Sequence, residues 1–225
     1  MDTGDYTPEE YERCLAELAR INRFLGDTQA LKKTLLREIE KANLENFSVL
    51  DVGAGSGEML RTIAEFARTG NRKTNLCGLE LNARSACAIL EQSENFAEIS
   101  AVRGNALNLP FGDDAFDYAI CTLFTHHFAD ESVVKILREM ARVSSRKIFV
   151  IDLHRHRTAY FLYKVFCTAF NISNFVREDG SLSILRAFKQ DELETLARAA
   201  NLTEISVARH IPFRLVLQAN ANRSK

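Results

Sequence analysis

Apolar and polar residues follow three successive rhythms along this chain. The first is helical. Tyr11, Leu15, Leu18, Ile21 and Leu25 recur at three- and four-residue spacing behind Thr7-Pro8-Glu9-Glu10, a capping-box start with proline at the first helical position. Gly26 ends that run, and Leu31, Leu35, Leu36 and Ile39 mark a second helix over residues 28–42. From Phe47 the rhythm changes to short apolar runs at 47–52, 75–81, 99–102, 116–123 and 147–153, which read as buried strands. Helical patterns at 59–68, 83–92 and 131–143 separate most of them. The third regime holds an aromatic-rich helix over 158–170, a helix over 191–200, and strands over 204–210 and 213–218. Pro212 lies near the turn of that last, antiparallel hairpin.

Strands alternating with helices predict an α/β architecture, a parallel sheet covered on both faces. Counting the hairpin, the expectation is a doubly wound, mostly parallel seven-stranded sheet with a C-terminal antiparallel hairpin and N-terminal helices. Residues 1–45 form a helical N-terminal segment, and 46–225 the sheet domain, with a helical insert at about 156–188. At roughly 150 residues per domain, 225 residues fit one large domain with a small elaboration.

Composition narrows the function. Hydrophobic residues at 46% and charged residues at 26% are ordinary for a globular chain and exclude disorder. With 29 basic and 30 acidic residues there is no basic excess for phosphate neutralisation, so no nucleic-acid partner is expected. The five cysteines (Cys14, Cys77, Cys87, Cys121, Cys167) are odd in number and form no CxxC pair, which predicts reduced thiols and no structural metal. The acidic start MDTGDYTPEEYE is unlike a targeting signal, and no apolar run approaches the roughly 20 residues of a membrane span. A cytoplasmic protein without a membrane span is the expectation; oligomeric state is not legible.

The chemistry concentrates in Ser48-Val49-Leu50-Asp51-Val52-Gly53-Ala54-Gly55-Ser56-Gly57-Glu58, a strand running through alternating glycines into a helix. In a doubly wound sheet this turn stands at the carboxyl end of the first strand, where ligands bind. Dinucleotide turns read GxGxxG and seat a pyrophosphate on the helix N-terminus. Here the spacing is GxGxG and the strand ends in Asp51, a carboxylate that would repel a pyrophosphate but suits a ligand carrying an amino group and a sulfonium. Glu80, in Leu79-Glu80-Leu81-Asn82 at the end of the second strand, can accept both hydroxyls of a ribose.

With these residues the chain resembles the class I S-adenosylmethionine (SAM)-dependent methyltransferases, over about residues 47–153 and more weakly beyond. LDVGAGSGE resembles the family's first motif and GLELN its second-strand acidic motif. GNALNLPFGDDAFDYAI is similar to the third motif in the subgroup of ubiquinone- and menaquinone-biosynthesis enzymes. The resemblance implies a Rossmann-like fold, SAM as cofactor and methyl transfer to a small molecule. It also implies that Asp51, Gly53, Ala54, Gly55 and Gly57 line the methionine end. Glu80 and Leu81 would then hold the ribose side, Asn105 and Ala106 face the adenine, and Cys121 and Thr122 touch the cofactor after the fourth strand. The family commonly has Asp at the Asn105 position; an amide oxygen can accept the same hydrogen bond. The N-terminal segment around Arg23 and Phe24 is expected as a lid.

For the acceptor side, His126 and His127 follow the fourth strand and His154 and His156 the fifth, all at the sheet edge that carries the glycine loop. His127, His154 and His126 are candidates for a base that deprotonates a phenolic or enolic hydroxyl, with His127 and His154 preferred. Asp152 either caps the following helix or orients a histidine. Arg155, Tyr160 and Arg186 are candidates to bind the acceptor, under a roof formed by the aromatic helix. The HHF and DLHR runs also resemble small bacterial methyltransferases of polyketide and phenolic-lipid pathways, which points to a phenol- or quinol-like acceptor methylated at oxygen, with carbon as the other option. The competing readings are a SAM-binding protein without catalysis and an NAD(P)-binding oxidoreductase. The residues after the fourth strand, CTLFTHHF, lack the NPPY-type pattern of enzymes that methylate adenine or glutamine amides.

Overall fold

The computed structural model describes residues 26–221; the expected first helix, with Arg23 and Phe24, lies outside the described residues. Seven strands form one sheet: β1 (Asn46–Val52), β2 (Lys73–Glu80), β3 (Ile99–Arg103), β4 (Phe116–Thr122), β5 (Ser144–Leu153), β6 (Thr203–His210) and β7 (Arg214–Asn220). Their order is β3-β2-β1-β4-β5-β7-β6, with β1 to β5 parallel and β7 antiparallel to both neighbours. The chain winds outward from β1 through β2 to β3, then crosses to β4 and β5. The topological switch therefore falls between β1 and β4, where ligands bind in such sheets.

Helices cover both faces. The helix α1 comprises Asp27–Leu31, a wider π-wound stretch Lys32–Leu36, and Arg37–Lys41. With α2 (Glu58–Thr69) and α3 (Ala83–Gln92) it buries Leu35, Ile39, Leu60, Ile63 and Ile89 against Val49, Leu76 and Tyr118. The opposite face is covered by α4 (Asp130–Val143) and α7 (Gln190–Ala199), whose Val133, Leu137, Met140, Leu193 and Leu196 meet Leu50, Val150 and Leu217. Between β5 and α7 the insert is two helices, α5 (Arg157–Ala169) and α6 (Asn174–Arg186).

Two differences from the sequence expectation have clear causes. Strand β5 begins at Ser144, three residues ahead of the expected 147. α4 passes into it without a loop: the Ser144 hydroxyl donates to the Met140 carbonyl at 2.7 Å, closing the helix end. The aromatic helix α5 is not apolar-buried all round. It buries the stripe Ala159, Tyr163 and Cys167 against Val176 and Ile184, while Phe161 and Phe170 are 65% and 57% exposed.

One buried ion pair ties the start of the described chain to the sheet. Arg214, at the start of β7, is 1% exposed and bonds Asp27 through two nitrogens, one of them at 3.2 Å. Breaking a buried pair strands a charge and costs about 3–5 kcal/mol, whereas replacing both partners by apolar residues is often neutral. Arg214→Met is expected to lower the urea unfolding midpoint strongly. The double variant Asp27→Leu/Arg214→Met should recover most of the loss. Equal loss in both variants would show that the pair's charge balance is not what matters.

Candidate functional site

The glycine loop is built by close approach. Gly53, Gly55 and Gly57 carry φ of 73°, 58° and 81°, in the left-handed region. At Gly53 a Cβ would stand 2.6 Å from the Phe124 ring, so the loop can pass the end of β4 only without a side chain. The Gly53 N–H donates to the Leu79 carbonyl at 2.9 Å and the Gly55 N–H to Glu80 Oε1 at 2.6 Å, which hooks the loop over the end of β2. Leu81, the next residue, is 66% exposed at this mouth.

Beneath the loop is Asp51, 1% exposed, and its Oδ1 has no hydrogen-bond partner. Burial, and secondarily the Glu80 charge, raise its pKa from 3.8 to about 8. Thr122 Oγ1, at the end of β4, is also buried without a partner. Cys121 between them is fully buried, and burial followed by the charges of Asp152, Asp51 and Glu80 pushes its thiol up. Unpaired buried oxygens are costly; of the three among the described residues, Thr74 Oγ1 lies near the start of β2, and the two at the switch point are ones that a cationic, hydrogen-bonding ligand would relieve. The donor set therefore fits SAM: a carboxylate for its ammonium, a second carboxylate for ribose hydroxyls and an apolar side chain for a flat ring.

Asn105 and Ala106 follow β3. The Asn105 amide oxygen accepts the Leu107 N–H at 2.9 Å, closing a local turn, and Ala106 is buried. Asn82, beside Glu80, caps α3 by accepting the Arg84 N–H at 2.8 Å.

The four histidines separate into two groups. After β4, Leu123 holds φ of 52°, a costly conformation for a branched apolar residue, and the chain turns into a 3-10 turn, Thr125–His127. His126 is 5% exposed and sits in ring contact (4.2 Å) with the exposed His127. Its Nδ1 bonds Asp152 Oδ1 at 2.6 Å. Asp152, wholly buried, also accepts the Thr125 hydroxyl at 2.5 Å and the N–H groups of His126 (3.2 Å) and Leu153 (2.7 Å). Burial alone would raise this carboxyl, but His126 and the hydrogen bonds outweigh it and hold the pKa below 3.8. Of the two roles open to Asp152, it takes the orienting one. The cap of α5 is His156, which accepts the Thr158 N–H at 3.2 Å.

His154 and His156 form the second group, with ring centroids 5.6 Å apart. They line a groove of about 520 Å³ with Arg155, Lys189, Gln190, Asp191, Glu194 and Arg209, so it opens toward α7 and β6, and the glycine loop supplies none of its lining. Burial, then Arg209 and His156, lower the His154 pKa. Arg155 pairs with Glu192 on α7, Tyr160 is half-buried under the Lys164 ammonium at 4.7 Å, and Arg186 is exposed in the last turn of α6. Thr125 and Phe124 were not singled out in the sequence. Their signal was position: both directly follow a strand at the switch point. Among the described residues no group of three or more His, Cys, Asp or Glu side chains could hold a metal, and no helix is long and apolar enough to cross a membrane.

Fold and crevice together define a Rossmann-like protein whose crevice residues fit a nucleoside-bearing, positively charged ligand. Residues 49–147 match the methyltransferase domain family. The demethylmenaquinone methyltransferase of Bacillus licheniformis is 30% identical over 118 residues, covering 52% of this chain and 48% of that protein, so this match spans about half the length of the relative. The same enzyme of Bacillus subtilis is 27% identical over 176 residues, covering 72% of this chain and 73% of that one. Among solved structures, a SAM-dependent methyltransferase of Aquifex aeolicus superposes with a TM-score of 0.59 at 15% identity, covering 91% of this chain and 98% of its own. Magnesium protoporphyrin IX methyltransferase of Synechocystis, with bound S-adenosylhomocysteine, gives 0.58 at 16%, covering 88% and 84%. Over residues 49–147 the chain matches a methyltransferase domain, and it is similar to SAM-dependent methyltransferases, demethylmenaquinone methyltransferases among them.

The Asp51 carboxyl yields a stability prediction. Because its folded pKa is raised, the folded protein binds the extra proton, and stability present below about pH 4 is lost as pH rises toward 8. Asp51→Asn removes that penalty. Thermal melts should show the variant more stable than the wild type at pH 9, and by much less at pH 5. A variant destabilised equally at both values would contradict an unpaired carboxyl.

Proposed function

We propose that this protein transfers the methyl group of SAM to a hydroxyl of a small phenol- or quinol-like molecule. The carrying observation is the buried, unpartnered Asp51 oxygen under a loop whose Gly55 amide is already bonded to Glu80. In this reading Asp51 meets the ammonium of SAM, with Gly53, Ala54, Gly55 and Gly57 around the methionine portion. Glu80 takes ribose hydroxyls through its remaining acceptor capacity, Leu81 and Ala106 flank the adenine, and Asn105 borders it with its NH₂ group, since its oxygen serves the local turn. Cys121 and Thr122 floor the crevice, the Thr122 hydroxyl gaining a partner.

When bound, SAM supplies an activated methyl on a sulfonium, so the chain's work is to align the acceptor, exclude water and take its proton. Alignment is worth up to about 7–11 kcal/mol in favourable cases, and a general base adds about 10²–10⁴-fold. His126, His127 and His154 are the base candidates. The position of the 3-10 turn, reached directly from β4 with Phe124 against Gly53, favours His126 and His127 over His154, which lines the groove toward β6. Arg155 is engaged with Glu192, so in this reading Tyr160 and Arg186 are the acceptor contacts. The names of the menaquinone-type relatives support a quinol-like acceptor; carbon is the alternative atom.

Calorimetry should find SAM bound by the wild type and binding weakened at least tenfold in Glu80→Ala. Near pH 7, binding should release a proton, because an ammonium beside Asp51 favours its ionised form; titration in buffers of different ionisation enthalpy measures it. Incubation with methyl-labelled SAM and a panel of phenols, quinols and carboxylic acids should label a hydroxyl acceptor. SAM bound without transfer to any acceptor would mark a binding protein instead, and unchanged affinity in Glu80→Ala would refute the ribose placement.

A further inference from the structure

We propose that Asp152 is a positioning residue that makes His126, rather than its exposed neighbour His127, the group that takes the acceptor's proton; this rests on the functional reading above. Asp152 is fully buried and its two oxygens receive four hydrogen bonds, from the Thr125 hydroxyl, the His126 and Leu153 N–H groups and His126 Nδ1. Such a carboxylate is satisfied and stays ionised. An imidazole that donates Nδ1–H to it is fixed in one tautomer, and Nε2 is the nitrogen left to accept a proton. The imidazolium that forms is then stabilised by the adjacent negative charge.

The surroundings place this pair beside the crevice. Phe124, two residues before His126, packs on Gly53 of the glycine loop. Leu123 is held in its left-handed conformation while its N–H donates to the Ile151 carbonyl at 2.9 Å, next to Asp152 in sequence. Strain of this kind persists where surrounding structure fixes it, and it is common at functional sites. Helix α6 packs against the same turn and helps close it from water. The proton step is balanced: the acceptor O–H bond breaks, its electron pair stays on oxygen, and the proton forms an N–H bond at His126 Nε2.

The test uses the full chain, an acceptor series found in the labelling panel and graded in hydroxyl acidity, and the variants Asp152→Asn, His126→Gln and His127→Ala. Asp152→Asn and His126→Gln should keep SAM affinity and acceptor KM within about twofold of wild type. With weakly acidic phenols their kcat should fall about 10²-fold or more. The deficit should shrink toward unity with phenols already ionised at the assay pH, for which no base is needed. Any loss in His127→Ala should be the same across the acidity series. A loss in Asp152→Asn that is uniform across the acidity series, or a large acidity-dependent loss in His127→Ala with none in His126→Gln, would overturn the assignment while leaving methyl transfer intact. Failure of the wild type to methylate any hydroxyl would instead sink the functional reading together with this one.

Discussion

A carboxylate without a cation governs this structure. Asp51 lies at the end of a central parallel strand with one oxygen unpartnered and its pKa raised to about 8 by burial and Glu80. A fold under selection for stability alone would place an apolar residue there, as it does at Val49, Leu50 and Val52 in the same strand. The loop above it is hooked by glycine amides to Leu79 and Glu80 at the end of β2. The protein bears this cost in the ligand-free state, and in the proposed reading a bound ammonium offsets it.

Asp152 is the opposite case two strands away. It is as deeply buried, yet every hydrogen bond it needs comes from Thr125, His126 and Leu153. One carboxyl is therefore prone to protonation and the other held ionised, with Cys121 between them sensing both. Environments that push two like groups apart separate their roles; in the proposed reading one meets a cation and the other fixes a base.

Much of the fold was legible because its signals are local. Period changes marked the strands and helices, and the β1 turn carried glycine spacing plus Asp51, which together opposed a pyrophosphate. The partnerships were legible only in part, because they join distant segments. Asp152 was open to orienting a histidine, though not a particular one, and His126 lies 26 residues away; nothing paired Arg214 with Asp27 across 187. The expected grouping of the four histidines followed from strand ends sharing an edge, but an edge does not set direction. His154 and His156 turn toward α7 and β6 because Phe213 stacks on His156 and Phe188 bridges to His154. The aromatic helix misled differently. Its residues satisfied a helical stripe, Ala159, Tyr163 and Cys167, while several equally apolar neighbours stayed outside.

In the proposed reading, the acceptor's chemistry follows from what surrounds the two carboxylates rather than from either alone. An acceptor brought against the 3-10 turn meets Phe124 and Phe128, in edge contact at 4.8 Å, before it meets a charge. Arg155, between His154 and His156, is paired with Glu192, and Lys189 and Arg209 line the groove toward α7 and β6 rather than the glycine loop. A strongly anionic acceptor would find little compensation there, and desolvating it would oppose binding. A neutral, ring-bearing hydroxyl loses little on entering such an apolar wall and needs one proton removed at the moment of transfer. That combination is what a buried, carboxylate-oriented imidazole supplies.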